Sequence, residues 1–336
     1  MKGRIAILGA TGAVGRELLA ILARRGVDRS RLKVLATARS AGARLPYGEV
    51  DCIVEAVDRG SFDGVDVAIF SAGARASREW APVATAGGGR VVDNSSAFRM
   101  EPDVPLVVPE INRGAIGDAP IIANPNCSTI IMNMAVWPLH RRNPVRRIVV
   151  STYQAASGAG RRAMLELEQQ TRDVLDGRPA VPNVFPGPCA FNLFSHNTPI
   201  NEQGYNTEEM KMIHETRKIF GTPDLAITAT CIRVPVLRAH SESINLTFTE
   251  PITAEEARDI LAEAPGITLA DDREANRFPT PLEATGRDDC LVGRIRRDLS
   301  QPDGRGLELF VCGDQLRKGA ALNAVQIAEA LGALPD

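Results

Sequence analysis

Arg4-Ile5-Ala6-Ile7-Leu8-Gly9-Ala10-Thr11-Gly12-Ala13-Val14-Gly15 is the stretch on which the fold turns. An apolar run, Ile5–Leu8, enters glycines spaced three apart, and Val14, Leu18, Leu19 and Leu22 then recur at helical spacing. Glycine permits a tight turn and close backbone approach, and the unsatisfied N–H groups of the following helix face an anion. Gly9, Thr11, Gly12, Ala13 and Val14 are therefore read as contacts of a dinucleotide pyrophosphate. Without the flanking strand and helix, the same glycines would be a plain turn.

Outward from this turn, apolar runs at Leu32–Thr37, Cys52–Val57, Val65–Ala72, Arg90–Asn94 and Pro120–Asn124 alternate with helical patterns. Strands with little polar alternation, separated by helices, indicate a parallel sheet covered on both faces. The expectation is an α/β, Rossmann-like N-terminal domain. An NAD site places a carboxylate at the end of the second strand, on the ribose 2′-hydroxyl. Here that position reads Ala36-Thr37-Ala38-Arg39-Ser40. Arg39 and Ser40 could hold a 2′-phosphate, which favours NADP; otherwise Arg39 is an exposed loop charge.

The pattern changes near residue 128. Strand-like runs at Arg147–Tyr153, Ala226–Pro235, Ser243–Thr249, Leu291–Ile295 and Leu307–Cys312 suggest a second, antiparallel-rich sheet, with helices near 160–175, 207–220 and 253–264. This is an α+β domain. Asp176–Asn206 carries five prolines and reads as a long functional or partner-contacting loop. A last helix, Ala320–Leu331, could return to the first domain. The expected division is 1–127 plus 315–336 for the nucleotide domain and 128–314 for the catalytic domain.

The bulk properties narrow the function further. The 336 residues carry 39 basic and 41 acidic side chains, a net charge of −2, so nothing points to nucleic acid or an anionic membrane. The six cysteines are spread out, with no CxxC and no metal-ligand spacing, and read as reduced thiols. No signal-peptide core and no spanning apolar run is present, so the expected location is cytoplasmic.

One thiol stands apart. Asn124-Pro125-Asn126-Cys127-Ser128-Thr129 precedes the apolar run Ile130–Leu139, which places Cys127 at a helix start. The positive end of the macrodipole there favours thiolate. Position alone leaves nucleophile and buried small residue equally open. Cys52, Cys231 and Cys312 lie inside strand-like runs, where an inert core thiol is the default. A nucleophilic thiol beside a redox cofactor implies attack on an aldehyde, hydride loss and a thioester. Of the four histidines, His240 is read as standing just after a strand, a common place for a catalytic group. His196 falls in the irregular loop.

The blocks GATGAVG, LATARSAGARL, NSSAFRM, VVPEIN, NPNCST, STYQAASGAG, TEEMKMIHETRKI, CIRVPVLRAHSE and DQLRKGAALNAVQ occur in order along nearly the whole chain. Together they resemble the aspartate-β-semialdehyde dehydrogenase family. The resemblance implies a glyceraldehyde-phosphate-dehydrogenase-like pair of domains and a homodimer. It also implies reversible NADP-dependent interconversion of 4-phospho-L-aspartate with L-aspartate 4-semialdehyde and phosphate. That reaction serves lysine, threonine, methionine and diaminopimelate synthesis.

The resemblance also implies residue roles. Cys127 would be the nucleophile, His240 the general acid/base, and Gln154 would orient the thioester. Arg233 would grip the substrate carboxylate and Glu208 its ammonium. Arg99, Asn126 and Lys211 would bind phosphate, and Ser157, Gly158 and Gln315 would join the glycine turn, Arg39 and Ser40 at the cofactor. Local chemistry is compatible: Asn206 and Glu209 are spaced as an N-cap pair, and Glu208 and Lys211 share a helix face. Without the resemblance, Glu208–Lys211 would read as a solvated ion pair and Arg99 as a surface arginine. Gln315 stands where the family often has Asn, and the loop around His196 departs from the usual sequence. An N-acetyl-glutamyl-phosphate reductase would give Glu208 no ammonium to meet. A non-catalytic nucleotide-binding module would leave Cys127, Gln154, Arg233 and His240 without use.

Overall fold

The computed structural model describes residues 3–334, so the extreme ends of the first expected domain lie outside the described residues. The chain forms two compact units. One holds the residues up to Asn126 together with those from Ala320 onward, and the other is Cys127–Gly319.

In the first unit, β1 (Ile5–Leu8), β2 (Leu32–Ala36), β5 (Glu55–Ala56), β6 (Val67–Phe70), β7 (Arg90–Asp93) and β8 (Ile121–Ala123) form a parallel sheet ordered β5-β2-β1-β6-β7-β8. Every residue of β1 and β6 is buried, which is why neither alternates polar with apolar. One face packs Ile5 and Ile7 against Leu18 and Leu22 of α1 (Ala13–Arg24) and Val325 of α9 (Leu322–Ala330). The other packs Ala6 and Leu8 with Phe62 and with Ala81 of α2 (Ala74–Ala86). A short α3 (Pro109–Asn112) lies beside α9. Truncating Leu22 to alanine would cost about 2–5 kcal/mol. The chain leaves β1 for β2 on one side and returns to β6 on the other. The glycine turn thus sits at the carboxyl end of a switch-point strand.

The expected strand Cys52–Val57 is two strands. β3 (Arg44–Tyr47) and β4 (Val50–Ile53) make an antiparallel hairpin, and only Glu55–Ala56 joins the main sheet. The reason is a period-two pattern that buries Leu45, Tyr47 and Cys52 around a turn at Gly48, whose φ is 59°.

In the second unit, β9 (Val145–Gln154), β10 (Phe194–Ser195), β11 (Ala226–Arg233), β12 (His240–Phe248), β13 (Ile267–Leu269), β14 (Cys290–Arg297) and β15 (Gly306–Gly313) form a mixed sheet. Its order is β10-β11-β9-β12-β15-β14-β13, with β12 antiparallel to both neighbours and β11 parallel to β9. α4 (Cys127–Arg142) is buried along almost its whole first three turns, as its apolar run demands. α5 (Arg161–Leu175), α6 (Thr207–Phe220), α7 (Ala254–Ala262) and α8 (Pro281–Ala284) complete the unit. The Asn206–Glu209 capping box is present, and Glu209 Oε1 also accepts from Cys231 N at 3.0 Å, tying α6 to β11.

Candidate active site

The glycine turn of the first unit is built from backbone. Gly9 has φ +90°, and a Cβ there would stand 2.3 Å from Ser71 O; one on Gly15 would stand 2.4 Å from Gly9 O. The N–H groups of Gly9 and Ala10 both donate to Leu35 O, at 2.9 and 3.2 Å, which folds the chain back over β2. Gly12 caps α1 without any side-chain bond. Thr11, Gly12, Ala13 and Val14 therefore present a helix N-terminus with no side-chain cap, a fit for a pyrophosphate. Arg39 and Ser40 lie in a 3₁₀ turn following β2, Arg39 exposed and Ser40 half-buried. Arg99 is not a surface residue: it is buried, with Nε donating to Asn124 O and Nη2 to Asn94 O, both at 2.9 Å. Asn126 is buried as well.

In the second unit the strand register assembles the site. Parallel pairing sets Arg233 of β11 beside Gln154 of β9. On the other flank β12 pairs Ser241 with Tyr153, so His240 falls next to Gln154 one step on. Three segments far apart in sequence thereby place Arg233, Gln154 and His240 in one row. The expectation for His240 is corrected on one point: it opens β12 and is fully buried, whereas the sequence placed it in a loop after a strand. A turn with Ala239 at φ 72° precedes it, and Ala239 N donates to Gln315 Oε1 at 2.9 Å.

Cys127, half-buried at the start of α4, has its Sγ 3.4 Å from His240 Nε2. On the other side of the ring, Ala155 N donates to Nδ1 at 3.0 Å. A backbone N–H can only donate, so the neutral ring carries its proton on Nε2, facing the sulfur. Burial, reinforced by the Arg233 charge, pushes the His240 pKa down to about 3, which keeps the ring neutral. Gly158 lies close: a Cβ there would stand 3.1 Å from His240 Cε1 and 3.3 Å from Arg233 Nη1. Ser157 Oγ accepts from Gln315 Nε2.

Gln154 Nε2 donates to Glu208 Oε1 at 3.3 Å, and Lys211 Nζ donates to Glu208 Oε2 at 2.9 Å. Glu208 is buried, so this is not the solvated pair that spacing alone suggested. Arg233 is 2% exposed. Its Nη1 donates to the carbonyls of Ala155 and Gln154, its Nη2 to His196 Nε2 at 3.0 Å, and its Nε has no partner among the described residues. A buried guanidinium held by neutral acceptors is primed for an incoming carboxylate. By contrast, Cys231, Cys312 and Cys52 are buried thiols whose pKa values burial drives upward, Cys312 to about 12. They are inert, as their strand positions implied.

The sequence placed His196 in the irregular loop and gave it no role. It follows β10, whose pairing with β11 delivers the imidazole to Arg233. A two-residue strand in a proline-broken loop leaves no periodic signal.

Comparison with known proteins identifies the family. The family models described as "Semialdehyde dehydrogenase, NAD binding domain" and "Semialdehyde dehydrogenase, dimerisation domain" match residues 4–119 and 136–318. A relative from Synechocystis sp., named aspartate-semialdehyde dehydrogenase, is 56% identical over 98% of this chain and 97% of its own. The chain belongs to the aspartate-semialdehyde dehydrogenase family. Its members are oxidoreductases that act on aldehyde groups. A Vibrio cholerae family member, aspartate semialdehyde dehydrogenase II solved in complex with ASA, is 43% identical, covers 98% of both chains and superposes with a TM-score of 0.94. A Candida albicans member solved with NADP is 25% identical over 99% of each chain, with a TM-score of 0.75. Among the described residues no helix is long and apolar enough to cross a membrane.

Proposed function

We propose that the chain interconverts L-aspartate 4-semialdehyde and 4-phospho-L-aspartate through a thioester on Cys127, using NADP and phosphate and working as a homodimer in the cytoplasm. The observation that carries the reading is the Cys127 Sγ–His240 Nε2 contact of 3.4 Å, at a helix start and in the same site as the buried Arg233. The glycine turn, Arg39 and Ser40 would hold the cofactor, to which the resemblance also assigns Ser157, Gly158 and Gln315. When bound, NADP supplies the hydride acceptor that takes the substrate carbon from the aldehyde to the acyl level.

The chain's own residues do the rest. Cys127 thiolate adds to the aldehyde carbon and forms the C–S bond. The oxyanion so created needs a donor, and the Nε2–H of neutral His240 is the group that faces the sulfur. His240 serves the site in this sense: its Nε2–H donates a hydrogen bond to the developing oxyanion and keeps its proton, while Ala155 N holds Nδ1 as acceptor. Gln154 orients the acyl group, Arg233 binds the α-carboxylate by its fork, and Glu208 binds the ammonium. The resemblance assigns phosphate recognition to Lys211, Arg99 and Asn126. A phosphate oxygen then attacks the thioester carbonyl, the C–S bond breaks, and the thiolate is restored.

The test is the absorbance of reduced nicotinamide with L-aspartate 4-semialdehyde, with and without phosphate, for the wild type and Cys127→Ser. The expected result is phosphate-dependent turnover that the substitution lowers by at least about a thousandfold. A silent wild type, or a variant at full rate, contradicts the reading.

A further inference from the structure

Arg233 raises a question that its binding role leaves open: what aims a buried guanidinium that no protein carboxylate holds? Its Nη1 rests on backbone carbonyls, but Nη2 donates to His196 Nε2 at 3.0 Å. Arginine is always a donor, so Nε2 is the acceptor and the neutral ring carries its proton on Nδ1. That nitrogen lies 3.5 Å from Thr198 Oγ1, and the same oxygen accepts from Glu208 N at 3.2 Å. A continuous path therefore runs from Arg233 through His196 and Thr198 to the first turn of α6, which carries Glu208. Its two ends are the groups assigned to the α-carboxylate and the α-ammonium of one substrate.

We infer that His196 and Thr198 are positioning residues that brace Arg233 against the α6 N-terminus, fixing the spacing at which an α-amino acid head is recognised. The inference rests on the proposed roles of Arg233 and Glu208. The chemistry of the brace follows from the acceptor used. A carboxylate in place of His196 would neutralise Arg233 and occupy the edge that a substrate carboxylate needs. A neutral imidazole aims the same N–H and leaves the full positive charge for the ligand. Burial and the neighbouring Arg233 and Lys211 charges outweigh Glu208 and hold His196 near a pKa of about 4, so it stays neutral at working pH. The brace is delivered by β10: its Phe194 and Ser195 pair with Arg233 and Ile232, and His196 N donates to Cys231 O at 2.8 Å.

The experiment compares two aldehydes, L-aspartate 4-semialdehyde and 3-aminopropanal, which lacks only the α-carboxylate. The enzymes are the wild type, His196→Leu, His196→Gln, Thr198→Val and the double variant His196→Leu/Thr198→Val. In the wild type, loss of the carboxylate should lower kcat/KM strongly. His196→Leu should lower kcat/KM for the full substrate about ten- to hundredfold, carried by KM with kcat little changed, the scale of one hydrogen bond to a charged group. For 3-aminopropanal it should cost little. Glutamine, whose amide oxygen reaches the Nε2 position, should restore most of the loss. Thr198→Val should shift KM in the same direction, and the double variant should lose less than the product of the two single losses, as members of one network do. Equal penalties on both aldehydes in His196→Leu, or no penalty, overturn the brace while leaving Arg233 as the carboxylate site. A wild type indifferent to the carboxylate removes the Arg233 role, and the brace with it.

Discussion

The glycine turn of the first unit and the thiol–imidazole site of the second are built by opposite means. The turn is made of backbone: Gly9 at φ +90°, two N–H groups on Leu35 O, and a helix start with no side-chain cap. Its requirements are steric and local, so they are written in a dozen consecutive residues. The second site is made of side chains that meet because strands pair in one register and no other: Arg233 from β11, Gln154 from β9, His240 from β12 and Cys127 from α4. A one-residue slip of β12 would turn His240 to the opposite face of the sheet. Backbone sites announce themselves in sequence, whereas side-chain sites are assembled by topology.

Four substitutions press on that contrast. The largest effect belongs to His240→Ala, which removes the hydrogen-bond donor facing Cys127 and should cut kcat by about a hundred- to thousandfold without weakening cofactor binding. Steady-state kinetics beside a nucleotide titration would separate the two; joint loss of both would mean that His240 is structural. Gly9→Ala should do the reverse. Its Cβ would enter Ser71 O at 2.3 Å in a left-handed conformation, costing about 3 kcal/mol or more, seen as a lower Tm and lost nucleotide binding. Unchanged melting would show that the turn can relax.

A smaller effect is expected at Arg39, whose role is the least constrained by geometry. Arg39→Ala should weaken NADP about tenfold and leave NAD unaffected, a loss of one charge-assisted contact to the 2′-phosphate. Equal weakening of both nucleotides would return Arg39 to an ordinary loop charge. The smallest is Glu242→Gln. Glu242 sits two residues along β12 from His240, fully buried with neither oxygen partnered among the described residues, and burial raises its pKa well above the ordinary value near 4.5. The unfolded chain releases this proton above pH 4.5 and the folded chain keeps it. Stability therefore falls as pH rises past 4.5, and Glu242→Gln should remove that slope. Melts between pH 5 and 8 that stay parallel for the two proteins would contradict the buried neutral acid.

Legibility followed the same division. The parallel sheet, the glycine turn, the α6 capping box and the helix carrying Cys127 were readable because each is a local pattern with one physical meaning. The β3–β4 hairpin was missed because Val54 separates two short strands that belong to different sheets. Arg233, Gln154 and Glu208 could be named through resemblance, but nothing in their spacing says that they meet. Arg99 was assigned to phosphate through resemblance alone; its own context would have read as a surface charge, because its acceptors are backbone carbonyls, invisible in sequence. His196 was given no role for a related reason, since only the pairing of β10 with β11 brings it to Arg233.

The central claim is a covalent acyl enzyme on Cys127, and intact-protein mass spectrometry tests it most directly. The wild type is mixed with NADP and L-aspartate 4-semialdehyde in the absence of phosphate, then quenched in acid. The account predicts one added acyl group, mapped to the peptide containing Cys127 and discharged when phosphate is supplied before quenching. Turnover that proceeds with no adduct on Cys127, or an adduct on another cysteine, would contradict it.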